Sequence, residues 1–245
     1  MQNSTPTLNT IFQHRSIRQF TDEAIAPETL QMLIAAGQAA STSSFLQNVS
    51  VIRVSDLAKR AQIRPICAGE KEGHAYVERC AEFLVFCADM TRHAQLVPEV
   101  QLDWTEVLLV GAVDVGIFAQ NVLLAAESIG LGGVFIGSIR NNLPEIAQIL
   151  QLPQGVVPIV AMCLGYPKQD PAPRPRLPQN ILLSGNVFQA ASTDDLQAYN
   201  EVVRQYYRER SQLDLDWVQQ IRTNFARPVR PDLLPFLQKQ GFAKR

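Results

Sequence analysis

The sequence predicts a layered fold of sheet and helix, α/β or α+β. Four short segments rich in β-branched and aromatic residues, separated by stretches with helical apolar spacing, carry that prediction. So does the apolar run from Val107 to Gly137. Asp114, Gln120, Asn121, Glu127 and Ser128 interrupt it, each costly in hydrocarbon, so it reads as a buried helix and not as a membrane span.

Residues 7–14 and 27–39 read as surface helices flanking His14-Arg15-Ser16-Ile17-Arg18, the second opening on Pro27 with Glu28 close behind. VSVIRVSD (49–56) and AEFLVFCADM (81–90) read as strands, the second apolar enough for the interior of a sheet. Between them, 56–79 is predicted helical, broken by Pro65, Gly69 and Gly73. Trp104–Ser128 should be one helix of about 25 residues, ~37 Å long. It is apolar nearly all round and predicted to be covered on every side. Gly130 suits a left-handed cap, and GGVFIGS follows as a third strand. Asn142 should cap a helix to about Leu150, and VVPIVAMCLGYP (156–167) is the fourth strand. DPAPRPRLP must be extended, and an Arg-dense helical tail follows from Asp194. With no repeats and no low-complexity linker, residues 1–245 are expected to form a single domain with a tail from about 194. Four strands are few for this length, so apolar helix surface is expected to lie against a second subunit.

Lys and Arg number 22 against 23 Asp and Glu, so no global positive field favours nucleic acid or an anionic membrane. Any anion site must be local. Four Cys without a C-x-x-C pair, in apolar stretches, suit reduced buried thiols in a cytoplasmic protein and argue against zinc. MQNSTPTLNTIF does not read as a signal peptide.

Seventeen of the 22 basic residues are Arg, whose planar fork grips phosphate at two points. Arg15 and Arg18 with Ser16, and Arg174 and Arg176 in the stiff PRPRLP segment, could together form a phosphate site; the alternative is solvated arginines in unrelated places. STSSFLQN (41–48) offers four hydroxyls and Phe45 to a polar ligand edge, or is merely a helix end and loop. In GLGGVFIG the order is helix, glycines, strand, the reverse of a dinucleotide fingerprint, so the glycines stop a helix and admit a close neighbour, a flat ligand being one such. With only His14, His74 and His93, no G-x-S-x-G elbow and no framed carboxylate pair, the chemistry of an enzyme here would belong to a bound cofactor.

HRSIRQFTDEAI, STSSFLQN, AEFLVFCADM, AQNVLLAAESIGLGGVFIGSIRNN, LGYP with PRPRLP, and RPDLLPFLQKQGF occur in this order in the oxygen-insensitive nitroreductase and FMN reductase family, and the whole chain resembles its larger, NADPH-preferring branch. The resemblance implies an α+β fold, three layers α/β/α, with a mixed, mainly antiparallel sheet wrapped by helices. It also implies an intertwined cytoplasmic homodimer with FMN at the subunit boundary and the tail contacting the partner. His14, Arg15 and Ser16 would face the FMN phosphate and ribityl chain, and Arg18 the pyrimidine edge, where it would stabilise negative charge. Arg174 and Arg176 match a second phosphate clamp. Thr42 and Ser43 match the flavin-contacting loop, and Phe135, Ile136, Gly137 and Ser138 a strand end facing the flavin N5 side. Ser44, Phe45, Arg227 and Arg230 match substrate-facing positions. The implied reaction is two-step, from NADPH, or NADH, to the flavin and then to nitroaromatics, quinones or flavins.

Three departures stand out. His74, or Glu70, replaces a flavin-contacting Gln, and Phe135 replaces Tyr. The loop after Arg210, which matches the first of two 2′-phosphate arginines, is short and puts Leu215 or Asp216 near the second. Asp216 there would repel phosphate and weaken NADPH preference by ~1 to 2 kcal/mol. The rival readings are a dedicated FMN reductase, a reductive dehalogenase, a non-catalytic flavin-binding protein and a ligand-free structural dimer.

Overall fold

The computed structural model describes residues 5–69 and 73–245. The chain forms two compact units, one running through Pro171 and resuming at Arg230–Arg245, the other Ala172–Val229.

In the first unit, in chain order, lie α1 (Pro6–Phe12), α2 (Pro27–Gln38), β1 (Val49–Arg53), α3 (Leu57–Ala68), α4 (Tyr76–Arg79), β2 (Glu82–Asp89), α5 (Thr91–Leu96), α6 (Thr105–Ser128), β3 (Gly132–Ile136), α7 (Leu143–Leu150) and β4 (Val156–Gly165). The strands form one sheet in the order β1-β2-β4-β3, every pair antiparallel. The parallel component is a single bridge between Ser16 and Gly133. Alternation along the central strands builds two cores. Phe83, Val85 and Cys87 of β2 face Ile63, Ile66 and Cys67 of α3 and Ile146 of α7. Leu84 and Phe86 face Leu30 and Leu33 of α2 and Val115, Ala119, Val122 and Leu123 of α6. Helices therefore cover both faces, giving the expected three layers, and β2 is buried along its whole length as its continuous apolar run predicts. All four cysteines are free and buried.

Pro158 lies inside β4, where it cannot donate to the ladder. Phe86 pairs with Val160 and Cys87 with Pro158, so Ile159 between them bulges out of register.

Helix α6 ends in a Schellman motif. Gly130 takes φ +85°, Leu131 N–H donates to Ala126 O (3.0 Å), and Gly130 N–H to Glu127 O (3.2 Å). The next residue pair starts β3, which fixes the strand directly on the helix that supports it. Asn142 caps α7 as predicted, its side chain accepting from Glu145 N.

Three expectations change. The first strand stops at Arg53 because Asp56 is the N-cap of α3, accepting from Ala58 N (2.8 Å) and Lys59 N. Pro65 does not break α3. It is exposed, so the carbonyl it leaves unbonded can meet water, while buried Ile63, Ile66 and Cys67 hold the helix through to Gly69, where φ becomes +62°. The long helix is not covered all round within one chain, for Leu109, Val113 and Ile117, four residues apart, are 55%, 55% and 40% exposed.

The second unit holds α8 (Gln179–Leu182), α9 (Thr193–Ser211) and α10 (Trp217–Phe225), preceded by the extended Pro-rich segment. Ser192 caps α9, with Asp194 and Asp195 in its first turn and Arg208 and Arg210 in its last, each sign suited to the helix dipole. Asp216 and Gln219 form a capping box on α10. The chain then rejoins the first unit with α11 (Leu233–Lys239), whose Phe236 and Leu237 pack with Met90, Leu143 and Val157.

Candidate functional site

The His14–Arg18 segment is laid along the start of β3, with Ile17 N–H donating to Gly133 O at 2.9 Å. Close approach needs the glycines. A Cβ on Gly132 would stand 2.6 Å from Ile17 Cγ1, and one on Gly133 2.8 Å from Leu123 Cδ1. The neighbour Gly132 admits is thus the basic segment itself, whereas Gly133 makes room for Leu123 of α6 and for Leu164 and the Cys163 carbonyl of β4.

Around that segment the side chains divide. His14 Nδ1 meets Glu127 at 2.6 Å, which ties the segment to the end of α6. Arg15 pairs with Asp170 at 2.8 Å beside a cavity of about 740 Å³ that Ser16's neighbours Arg15 and Ile17 line together with Gly130–Gly132 and Lys168. Asp170 is 80% exposed, and such a surface pair is worth roughly 0–1 kcal/mol, so a phosphate can displace it. Arg18 has no carboxylate partner among the described residues; its guanidinium stands near the Tyr76 hydroxyl and the His74 ring. Burial first, and the Arg18 charge second, hold the His74 imidazole below its usual value and therefore neutral near pH 7. Burial likewise raises the Tyr76 hydroxyl. His74 takes φ +57°, and its ring lies 5.1 Å from that of Tyr76. Glu70, the other candidate for this position, lies outside the described residues.

At the far end of β3, Ser138 hydrogen-bonds the Cys67 thiol, which burial pushes up to about 12. Phe135 is half-buried and Ile136 buried. Gly137 is followed by a 3₁₀ turn to Asn142, and its carbonyl accepts from Arg230 Nη2 at 3.3 Å.

The 41–48 loop is held by the buried carboxylate of Asp114 on α6. It accepts from Thr42 Oγ1 (2.6 Å) and Ser43 N–H (3.1 Å), while Thr42 Oγ1 accepts from Gln47 N–H (2.9 Å). Thr42's hydroxyl is therefore fully used within the fold. Ser44, Phe45 and Gln47 take φ of +49°, +59° and +53°, a run of left-handed residues that turns Phe45 outward at 79% exposure.

In the second unit, Arg174 and Arg176 are exposed and form no ion pair among the described residues. The Arg174 guanidinium lies 6.0 Å from the Tyr207 ring, and Arg176 Nη1 donates to Arg174 O. Arg227 is exposed too. Arg210 lies over the Tyr206 ring and donates to its hydroxyl. Asp216 does not present the free carboxylate expected of it. The Gln219 N–H first, and Arg204 at 2.6 Å second, hold its carboxyl below the usual value. Its charge is answered, so the repulsion expected for a 2′-phosphate is largely cancelled.

Sequence reasoning missed Asp114 as the loop's anchor, Glu127, Asp170, Tyr76 and Arg140. A neutral imidazole, two guanidinia free or held by a displaceable carboxylate, a serine and a phenol form a donor set suited to a phosphorylated tail joined to a planar edge that hydrogen-bonds. FMN is such a group, and these residues fit it.

The sequence profile described as "Nitroreductase family" matches residues 11–166, and "Nitroreductase family, C-terminal domain" matches 174–245. The chain is 46% identical over 241 residues to the NADPH-flavin oxidoreductase of Vibrio harveyi, covering 98% of this chain and 99% of that one. It is 43% identical over 243 residues to the oxygen-insensitive NADPH nitroreductase of Salmonella typhimurium, covering 98% and 100%. Among solved structures, nitroreductase A of Vibrio parahaemolyticus superposes with a TM-score of 0.93 at 46% identity, over 99% of this chain and 100% of that one. The NADPH:FMN oxidoreductase of Vibrio harveyi complexed with NAD+ gives 0.91 at 46%, over 98% and 100%.

Proposed function

The chain belongs to the nitroreductase family, and from that premise we propose that it is a cytoplasmic, homodimeric, FMN-dependent oxidoreductase that carries two electrons from NADPH to small electron-poor acceptors, nitroaromatics and quinones. FMN, when bound, supplies the redox chemistry, taking two electrons from the nicotinamide and handing two to the acceptor.

The protein's part is grip, polarity and shielding. Arg15, released from Asp170, and Ser16 hold the phosphate and ribityl chain, with His14 keeping the segment on α6 through Glu127. Arg174 and Arg176 keep the role of second phosphate clamp that the resemblance gives them. Arg18, which has no ion pair among the described residues, puts a positive charge at the pyrimidine edge, and the neutral His74 ring can accept or donate one hydrogen bond without adding charge. The Phe135–Ser138 strand end backs the ring. Thr42 is best read as the brace of its loop, leaving to Ser43 and Ser44 hydroxyls without a partner among the described residues and to Phe45 the cover over the acceptor. Arg230 is the acceptor-facing arginine of the first unit, and Arg227 and Arg210 keep the acceptor and 2′-phosphate roles that the resemblance gives them. Of the 194–245 tail assigned to the partner contact, residues 230–245 pack within their own first unit, which leaves 194–229 for that contact, and the apolar stripe Leu109, Val113, Ile117 is assigned to the dimer interface.

The observation that carries this reading is Arg18, a cation without an ion pair among the described residues, set beside a neutral His74 on a segment pinned to β3. The test is the visible spectrum of the purified protein, followed by anaerobic addition of NADPH. A yellow protein that bleaches and is recoloured by menadione or nitrofurazone is expected. Colourless protein, or bound FMN that NADPH leaves coloured, would refute it. Free FMN as a second acceptor measures the flavin-reductase alternative, which the name of the Vibrio harveyi relative favours.

A further inference from the structure

We propose that Arg140 and Arg230 form an anion subsite that selects acceptors bearing a carboxylate or sulfonate. The inference rests on the reading above and extends it to the class of acceptor.

A cavity of about 330 Å³ is bounded by Arg140, Asn141, Asn142, Arg230, Asp232 and Leu233. Among the described residues both guanidinia are held by neutral acceptors alone. Arg140 Nη1 donates to the carbonyl of Ile159, the residue that the Pro158 bulge frees from the sheet ladder. Arg230 Nε donates to Asn141 Oδ1 at 3.1 Å and Nη2 to Gly137 O at 3.3 Å. That leaves Nε and Nη2 of Arg140 and Nη1 of Arg230 without a hydrogen-bond acceptor among the described residues. Among the described residues no carboxylate forms an ion pair with either. Asp232 lines the cavity but pairs with neither, and Glu145 is taken up by Asn142 Nδ2 at 2.8 Å. Burial first, and the Arg230 charge second, pull the Arg140 guanidinium below its usual value, so the nearby cation adds to the cost of burying it.

A ligand anion relieves that repulsion, and the free N–H groups of two planar forks suit a group with two or more coplanar or pyramidal oxygens better than a monatomic ion. Position argues for the acceptor. Arg230 bonds the Gly137 carbonyl, and Arg140 Nη2 lies 3.6 Å from where a Gly137 side chain would begin, so both cations flank the strand end proposed to face the flavin. The volume is at the lower end for a small-molecule pocket, enough for one substituted ring.

The test uses FMN-loaded dimer, saturating NADPH, and the isosteric pair 4-nitrobenzoate and 4-nitrobenzamide. Wild type should favour the acid in kcat/KM. Arg140→Gln should lose at least tenfold on the acid, through KM, and less than twofold on the amide, with Arg140→Lys restoring part of the loss as a point charge without the fork. Equal losses on both acceptors, or a slower bleaching of the FMN by NADPH in Arg140→Gln, would overturn the proposal, the latter by assigning Arg140 to the donor. A measurement on wild type alone decides it if the variants do not fold: benzoate should inhibit nitrobenzamide reduction at least ten times more strongly than benzamide does, and parity would overturn the subsite. Wild type that reduces nitrobenzamide without discriminating fails this inference alone; wild type that NADPH does not bleach fails the proposed function as well.

Discussion

Asp170 is a solvent-exposed carboxylate on the guanidinium proposed to take the FMN phosphate, so it competes with the cofactor for Arg15. Asp170→Asn is expected to tighten FMN about two- to fivefold, the worth of one surface pair, in a titration of apoprotein followed by flavin fluorescence; unchanged or weaker binding would mean the pair persists in the holoprotein. Arg210→Ala should lower kcat/KM for NADPH roughly 5- to 30-fold more than for NADH, as expected for one charged hydrogen bond. Equal losses with the two donors would remove Arg210 from the 2′-phosphate. Asp89 shows how charge enters stability. Burial pushes its carboxyl up, but hydrogen bonds from Ser50 and Thr91 and the Arg92 guanidinium together outweigh that and hold it below the usual value. Its contribution is therefore present above the unfolded-state value and lost as pH falls below about 4 and through the folded-state value. Asp89→Asn should cost about 1 to 3 kcal/mol at neutral pH and flatten the acid limb of stability in urea titrations from pH 7 to 3. At this scale the sequence was readable where residues act within one short run, as Arg15, Ser16 and Arg18 do. It was silent where the partner is distant in sequence. Nothing local says that Asp114 will brace Thr42 across 72 residues, or that Arg140 will find the Ile159 carbonyl.

Elements were legible to the extent that their ends carry chemistry. Gly130, Asn142 and Pro27 each mark a helix boundary because a backbone donor or acceptor must be answered there, and each stands where expected. Asp56 carried the same kind of signal but was absorbed into the preceding strand, and Pro65 was weighted as a breaker although an exposed proline above a well-packed apolar face is tolerated. Gly133, whose carbonyl holds the basic segment, is itself packed tightly against α6 and β4. A Cβ on Gly133 would sit 2.8 Å from Leu123 Cδ1 and Leu164 Cδ2 and 2.9 Å from the Cys163 carbonyl. Gly133→Ala should destabilise by about 1 to 3 kcal/mol through overpacking and, by shifting the Ile17–Gly133 hydrogen bond, release FMN on gel filtration. Full retention of FMN would separate that strand pairing from cofactor grip.

For the molecule as a whole, a four-stranded sheet with helices on both sides was readable from apolar runs too continuous for a half-exposed sheet, whereas the return of the last helix to the first unit was not, because residues 230–245 carry only an ordinary amphipathic pattern. The stripe of Leu109, Val113 and Ile117 predicts the assembly: Val113→Glu should shift the particle from dimer to monomer in sedimentation velocity and strip it of FMN, and an unperturbed dimer would place the interface elsewhere. One further property follows from where the sulfur lies. Cys67, Cys80, Cys87 and Cys163 are all shielded, and burial lifts the Cys67 and Cys87 thiols to about 12, so an intact subunit presents almost no nucleophilic sulfur to solvent. A chromogenic disulfide reagent would stay silent until the central strands part, which gives the fold an internal stopwatch for its rarest openings without any engineered label.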